Sequence, residues 1–497
     1  MARITLSLDR PTGNFWIDTG LVVLIKQFGE GEYDVEEIRG KLVNQLVQRT
    51  GKSGVYLDQV TGQLREYEKV NWVYPTNLFI KVAGRAPKVK VRIDGKTETV
   101  FTQPPVFDLN LKLRRGQDPC DICGEVKPLT DATMWMYPFV VDPKKFGTFY
   151  PGTKRGLKLC ARCALAGLAG YLGWLWKAQG KDALHFFVFH TDLREMKRLH
   201  EEVLRPLQLE GAHGGTAPVA FAGPYLHETT LGLLLALFAH VPASDRLSDE
   251  ARRLLASLLG ATTDAPTNAV TLYAVTGKPG QAFNMQALRE FSRLQPLYRL
   301  YEQWRQQLQA IAPDPHQQLV RALSQFQQRR DNNTETLWRD RIARAILEFD
   351  DPLPFVEQFL FDVRAREENP RPLVSGTLDV LNHYIEEVLG MEQEFRRTLA
   401  GFGHALGAEA HEHNEMGLLY SLRNARNPED FLRVLNDAQF RLEITVPEAL
   451  LQLERGERIA GVPWGRVKTL LAIYAMNAYL RRDAPRMETS QPTEQEE

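Results

Sequence analysis

The sequence predicts an α+β protein, with a mixed N-terminal domain followed by a mostly helical region that ends in a helical bundle. Three observations predict it. All four cysteines of the 497-residue chain fall into two pairs, Cys120-Asp-Ile-Cys123 and Cys160-Ala-Arg-Cys163. Residues 1–115 contain several short runs in which apolar and polar side chains alternate, the period of half-buried strands. From about residue 226 apolar residues recur at the three- and four-residue spacing of helices.

The cysteine spacing is that at which two thiolates chelate one tetrahedral Zn²⁺, and no cysteine is left over. The 36 residues between the pairs are tolerable because loop-closure cost grows only logarithmically with length. Cys120, Cys123, Cys160 and Cys163 are therefore the predicted ligands of a structural Zn²⁺, which makes the first part a zinc-braced N-terminal mixed domain. Two disulfides or a redox pair are the competing readings; the first suits an oxidising compartment and the second needs no duplicate. A closed four-thiolate site has no open coordination position, so it braces rather than hydrolyses.

Taken in order, Ile4, Leu6 and Leu8 alternate with polar residues as a strand, and an apolar segment follows from Leu21 to Phe28. Asp34 and Glu37 form a capping signal ahead of Val35, Ile38, Leu42 and Leu46, which predicts a helix over 35–49. Residues 55–115 read as strands, with a hairpin at Asp94-Gly95 where Lys88, Lys90 and Arg92 alternate with Val89, Val91 and Ile93. The run from Cys163 to Trp176 is too short to span a bilayer and reads as a buried helix whose glycines allow close packing.

His185–His190 reads as a strand, and Asp192 with Glu195 caps a helix towards Leu204. Residues 211–224 form an uncharged glycine-rich loop. Helices are expected over 231–241, 248–259, 286–311, 317–330, 334–349 and 355–366, with one strand over 269–275. Pro370-Arg-Pro372 marks a linker into the final bundle. The expected domains are 1–225, 226–370 and 371–485, with a disordered tail at 486–497 that has too few apolar residues to fold.

The net charge of −1 conceals an asymmetry: residues 1–190 hold 27 Lys and Arg against 19 Asp and Glu, and the remainder 34 against 43. Between Pro143 and Lys181 there is no acidic residue, while Lys144, Lys145, Lys154, Arg155, Lys158 and Arg162 supply positive charge beside Phe149 and Tyr150. Cations mixed with aromatic rings suit nucleic acid, whose phosphates need neutralising and whose bases stack. Lys88, Lys90, Arg92, Lys112, Arg114 and Arg115 extend the candidate phosphate-contacting set, the competing reading being a solvated sheet face. Trp174 and Trp176 are expected in the core.

No Gly-x-Ser-x-Gly elbow, Walker loop, His-Asp dyad or zinc-deaminase signature is visible, so no catalytic residue is assigned and a non-enzymatic role is expected. Gly51-Lys52-Ser53 follows a helix and lacks the upstream glycine of a phosphate loop. His404, His411, His413 and Glu415 raise a second metal site, which a solvated helix face explains equally well. The N-terminus lacks the apolar run of a signal peptide, which points to the cytoplasm and away from a membrane.

The two cysteine pairs, the run Phe146-Gly-Thr-Phe-Tyr-Pro-Gly-Thr-Lys-Arg-Gly-Leu-Lys-Leu-Cys160 leading into an Ala/Leu/Gly helix, and the helical C-terminal half resemble the large-subunit family of type I CRISPR Cascade complexes. More narrowly they resemble its CXXC-CXXC branch, found in subtype I-B and relatives. The specific likeness spans roughly residues 115–180. It implies a non-catalytic subunit of an antiviral-defence ribonucleoprotein complex that helps read the protospacer-adjacent motif on double-stranded target DNA, holds the crRNA 5′ end and stabilises the R-loop. The implied partners are crRNA, target DNA, the Cascade backbone and small subunits, and a helicase-nuclease or transposition proteins. The alternatives are a zinc-stabilised nuclease or nucleic-acid-modifying enzyme, or a stand-alone zinc-ribbon DNA-binding factor.

Overall fold

The computed structural model of the chain describes residues 2–72, 88–93, 95–104, 111–133, 136–138, 156–180, 183–207, 216–260, 270–278, 284–330 and 333–483. The protein is mixed α/β, with about 50% helix and 20% strand. It forms two compact units, residues 1–219 with 236–298, and residues 220–235 with 299–497. This differs from the three expected regions because the strands of 271–291 complete a sheet begun before residue 190, as described below.

The first unit opens with β1 (Arg3–Leu6), α1 (Phe15–Phe28), β2 (Gly31–Asp34) and α2 (Val35–Leu46). Asn14 caps α1 by accepting from the backbone N–H of Trp16 and Ile17, and Asp34 caps α2 by accepting from Glu36. Helix α2 is shorter than expected, since the chain passes at Val47 into β3 (Val47–Leu57). Strand β3 pairs with β4 (Leu64–Trp72) and β6 (Lys96–Phe101), and β5 (Lys88–Ile93) closes the order β4-β3-β6-β5. The hairpin expected at Asp94-Gly95 joins β5 to β6, with Gly95 at φ +80°.

Strands β7 (Leu129–Asp131) and β8 (Lys158–Cys160) form a short ribbon that leads into α3 (Ala161–Gly173). Helix α3 packs on α1 at a distance only glycine permits. A Cβ on Gly20 would fall 1.6 Å from the carbonyl oxygen of Ala166, and the Trp16 indole donates to the Gly167 carbonyl at 2.8 Å. The expected buried glycine-rich helix is thus present, and Trp174 and Trp176 lie in the core at its end.

Beyond α3, β9 (Leu175–Gln179) and β10 (Ala183–His190) pair antiparallel, and β11 (Thr271–Lys278) and β12 (Asn284–Phe291) extend them to the order β12-β11-β10-β9. The expected helix from 286 is therefore a strand as far as Phe291, and a helix begins only at Leu294. Backbone pairing to β11 satisfies β12 in a way that its own side-chain pattern did not reveal.

Asp192 caps α4 (Leu193–Arg198), which continues through a π-turn over Leu199–Leu204. Within the π-turn, Nδ1 of His200 accepts from Nζ of Lys26 at 2.8 Å. Burial, with Lys26 and Arg205 beside it, lowers the His200 pKa to about 4. The unfolded chain therefore binds more protons than the folded one between about pH 4 and 6.5. The stabilisation is complete above pH 6.5 and is lost as pH falls towards 4, by on the order of 2–3 kcal/mol. Urea unfolding at pH 7.5 and pH 5 should show this loss in the wild type and a smaller one in His200→Gln; equal losses would count against the assignment.

The second unit contains α5 (Leu226–Ala239, whose last turn belongs to the first unit) and a series of helices from α7 onwards. These are α7 (Leu294–Leu308), α8 (Pro315–Ser324), α9 (Leu337–Glu348), α10 (Leu353–Asp362), α11 (Thr377–Glu387), α12 (Gln393–Glu412), α13 (Met416–Asn424), α14 (Pro428–Arg441) and α15 (Trp464–Asp483); α6 (Asp249–Leu258) lies in the first unit. The helix expected over 317–330 ends at Ser324, and Gln328–Arg330 pairs with Asn333–Glu335 as a ribbon. Helices α12 and α15 lie side by side because Gly403 and Gly407 leave room for Tyr474 and the Ala475 carbonyl. The stripe Leu470, Leu471, Tyr474, Ala475 and Tyr479 is buried, as its spacing requires. The tail from residue 484 lies outside the described residues.

Candidate metal centre

Cys120 and Cys123 sit in a tight turn. The Cys120 N–H donates to the Glu125 carbonyl and the Gly124 N–H donates back to the Cys120 carbonyl, each at 2.9 Å, with Gly124 at φ +72°. This left-handed position favours glycine and lets the chain fold back so that both thiols point one way. The second pair comes from another local structure. Cys160 ends β8 and occupies the N-cap of α3, and Cys163 lies in the first turn of that helix, whose dipole favours negative charge.

The two halves are held together by backbone. Asp121 donates to the Lys158 carbonyl at 3.0 Å, and the Lys158 N–H donates to the Asp121 carboxylate at 2.7 Å. As a result the four Sγ atoms lie within 4.8 Å of one another, with Cys123 and Cys160 at 3.7 Å. Four bonds of about 2.3 Å to a tetrahedral ion place neighbouring sulfurs about 3.8 Å apart. The cluster could therefore hold a metal ion. The separation also excludes a disulfide, and all four cysteines are free.

Cys120, Cys160 and Cys163 are buried and Cys123 is half-buried. Sulfurs this close share protons. Hydrogen bonds from Cys160 and Cys163 push Cys120 far down, and one from Cys163 lowers Cys123 to about 7. The same bonds, seen from the partners, raise Cys160 to about 12 and push Cys163 higher still. A divalent cation is what would allow four thiolates to coexist in this space.

A ring of cations braces the turn from outside. The Glu125 carboxylate meets Arg10 at 2.9 Å, Lys127 at 3.0 Å and Arg162 at 3.4 Å. Burial pushes Glu125 up, but Lys127, Arg162 and Arg10 more than offset it and hold it low. Arg162 also donates to the Arg10 carbonyl at 2.6 Å and is only 5% exposed. This corrects its expected place on a phosphate-facing surface: its charge is spent inside, tying the N-terminal segment to α3.

The other expected contacts divide into three groups. Lys88, Lys90 and Arg92 are exposed on β5, and Lys112, Arg114 and Arg115 are exposed on the segment before the cysteine turn. Lys158 is half-buried, with Nζ 3.7 Å from Asp118. Lys144, Lys145, Phe149, Tyr150, Lys154 and Arg155 lie outside the described residues.

Among the described residues, the four cysteines are the one group of three or more His, Cys, Asp or Glu side chains placed to share an ion. His404 and His411 instead pack near the Tyr474 and Tyr479 rings, and Glu415 pairs with Arg441. One pair that spacing could not reveal is Asp18 with His190, whose Oδ2 and Nε2 are 3.1 Å apart. Asp18 is fully buried and also accepts from the Thr12 and Gly13 backbone and the Thr12 hydroxyl, so it anchors α1, the loop before it and the end of β10. Among the described residues, no helix is long and apolar enough to cross a membrane. Neither protein-family models nor curated proteins give a match to the chain.

Proposed function

We propose that this chain is the non-catalytic large subunit of a type I CRISPR Cascade surveillance complex. In this reading the four cysteines hold a structural Zn²⁺. The basic surface around them contacts the crRNA 5′ end and the duplex beside the protospacer-adjacent motif, and the C-terminal helices act as a bundle that docks on the backbone and small subunits. The observation that carries it is the four-thiol cluster itself, closed between a turn and a helix N-terminus and flanked by exposed Lys112, Arg114 and Arg115. Such a cluster fixes the geometry of a cationic surface without offering an open coordination position. A guide-bearing complex needs little more from this subunit, because base pairing reads the sequence while protein reads a short motif and backbone shape.

Co-expression with a crRNA and backbone subunits, followed by purification through a tag on this chain and extraction of RNA, tests the proposal. One guide RNA of uniform length, in complex with the other subunits, is the expected result. A chain that elutes free of RNA and of those subunits would overturn it.

A further inference from the structure

The sheet β4-β3-β6-β5 has two faces of opposite character, and the register assigns every side chain to one or the other. Lys88, Lys90 and Arg92 of β5 stand opposite Phe101, Thr99 and Thr97 of β6. Phe101 is the partner of Tyr56 on β3, and Tyr56 and Gly54 stand opposite Arg65 and Tyr67 on β4. Alternation adds Lys69 to the same face. On these four strands that face carries Lys and Arg side chains with three aromatic rings and no acid. The reverse face carries Glu66, Glu68 and Glu98 among valines and leucines, with Lys96 its single cation.

The rings form a row across neighbouring strands. Tyr56 and Tyr67 meet edge to face at 6.4 Å, and Lys88 holds its ammonium 4.9 Å from the centre of the Phe101 ring. Gly54 makes room for this row, since a Cβ there would come within 2.7 Å of the Tyr67 ring and 2.8 Å of the Lys69 side chain. All three rings are half-buried rather than covered. Arg65 is paired with Asp58 at the hairpin end. Lys90 and Arg92 are exposed on the edge strand, with no acid on their own face to meet them.

The geometry points to this face as a stacking platform for an unpaired polynucleotide, whose bases lie on Tyr56, Tyr67 and Phe101 while its phosphates lie along Lys88, Lys90 and Arg92. The inference rests on the nucleic-acid reading above and makes it specific. A duplex keeps its bases stacked inside and could use only the cations, whereas an unpaired strand uses cations and rings together. RNA and DNA share this chemistry.

Fluorescence anisotropy of the full-length protein with labelled oligo-U, oligo-dT and a duplex, over a series of salt concentrations, tests it. Tyr56→Leu with Phe101→Leu keeps apolar bulk on the sheet but removes two stacking surfaces. It should weaken single-strand binding by about tenfold or more while leaving duplex binding and the salt slope unchanged. Lys90→Ala with Arg92→Ala should instead flatten the slope of log affinity against log salt by about one, with the ring variant as its counterpart. Binding of either polymer in this pattern supports the platform, and the ratio of oligo-U to oligo-dT affinity identifies the preferred one. Single-strand binding indifferent to the ring changes, equal loss on strand and duplex, or equally strong displacement by poly-glutamate would overturn the platform while the proposed function stands. Failure of the wild type to bind any of the three nucleic acids would overturn both.

Discussion

Chelation of the metal from the four-cysteine cluster is expected to remove folding free energy on the order of 10 kcal/mol from the first unit, and Cys160→Ser a large part of that. Cys160 is the more telling position because it does three things at once. It ends β8, opens α3 as N-cap, and places its backbone N–H 3.3 Å from the Cys120 sulfur. A serine would keep the backbone but supply a hydroxyl that does not ionise near neutral pH, leaving three buried thiolates and an incomplete tetrahedron. The loss should spread because α3 is the helix on which α1 closes, with Gly20 against Ala166 and Trp16 against Gly167. Urea unfolding followed by tryptophan fluorescence, with released metal measured by a chromogenic chelator, reads both effects together. Protein prepared under reducing conditions that carries no metal by elemental analysis, and whose unfolding is indifferent to chelator, would defeat this expectation.

The second large effect is expected in the other unit, from Arg339→Ala. Glu228 is fully buried on α5 and accepts from Arg339 at 2.6 Å, the Thr336 hydroxyl at 2.8 Å and the Tyr225 N–H at 3.2 Å. Arg339 reaches on to the Ala222 carbonyl at 2.8 Å. Burial already raises the Glu228 pKa even with this guanidinium in place. Removing Arg339 leaves a carboxylate without its charge partner in the interior, which costs about 3–5 kcal/mol. Without Arg339 the folded pKa of Glu228 rises further above its unfolded value, so the folded state binds the extra proton. The variant should therefore recover stability relative to wild type as pH falls from 7.5 towards 5. Pairing Arg339→Met with Glu228→Gln should restore much of the loss at neutral pH, because no buried charge then remains. An Arg339→Ala chain within about 1 kcal/mol of wild type at pH 7.5 would show that this pair contributes little beyond a surface ion pair.

The metal cluster was legible because its signal is local: each Cys-x-x-Cys pair folds as one turn, and only their meeting had to be assumed. The same holds for the caps at Asp34 and Asp192, where the side chain bonds a backbone N–H two or three residues on. The cationic character of β5 was legible too, but not the aromatic row beside it, since Tyr56, Tyr67 and Phe101 come from three strands. Arg162 misled for the opposite reason. Its charge was visible, but the partners that consume it, Glu125 and the Arg10 carbonyl, lie far away along the chain.

What the chain determined by itself was therefore whatever depends on neighbours a few residues apart: helical stripes, the β5–β6 hairpin, glycines within α3 and the two halves of the thiol cluster. The tertiary structure decided which surfaces remain open and which charges are consumed. It turned 284–291 into a strand by pairing it with β11, drew Arg162 inside, and joined Asp18 to His190. The reason is physical: hydrogen bonding across strands and desolvation of charge depend on groups distant in sequence, and no local period encodes where those groups come to rest.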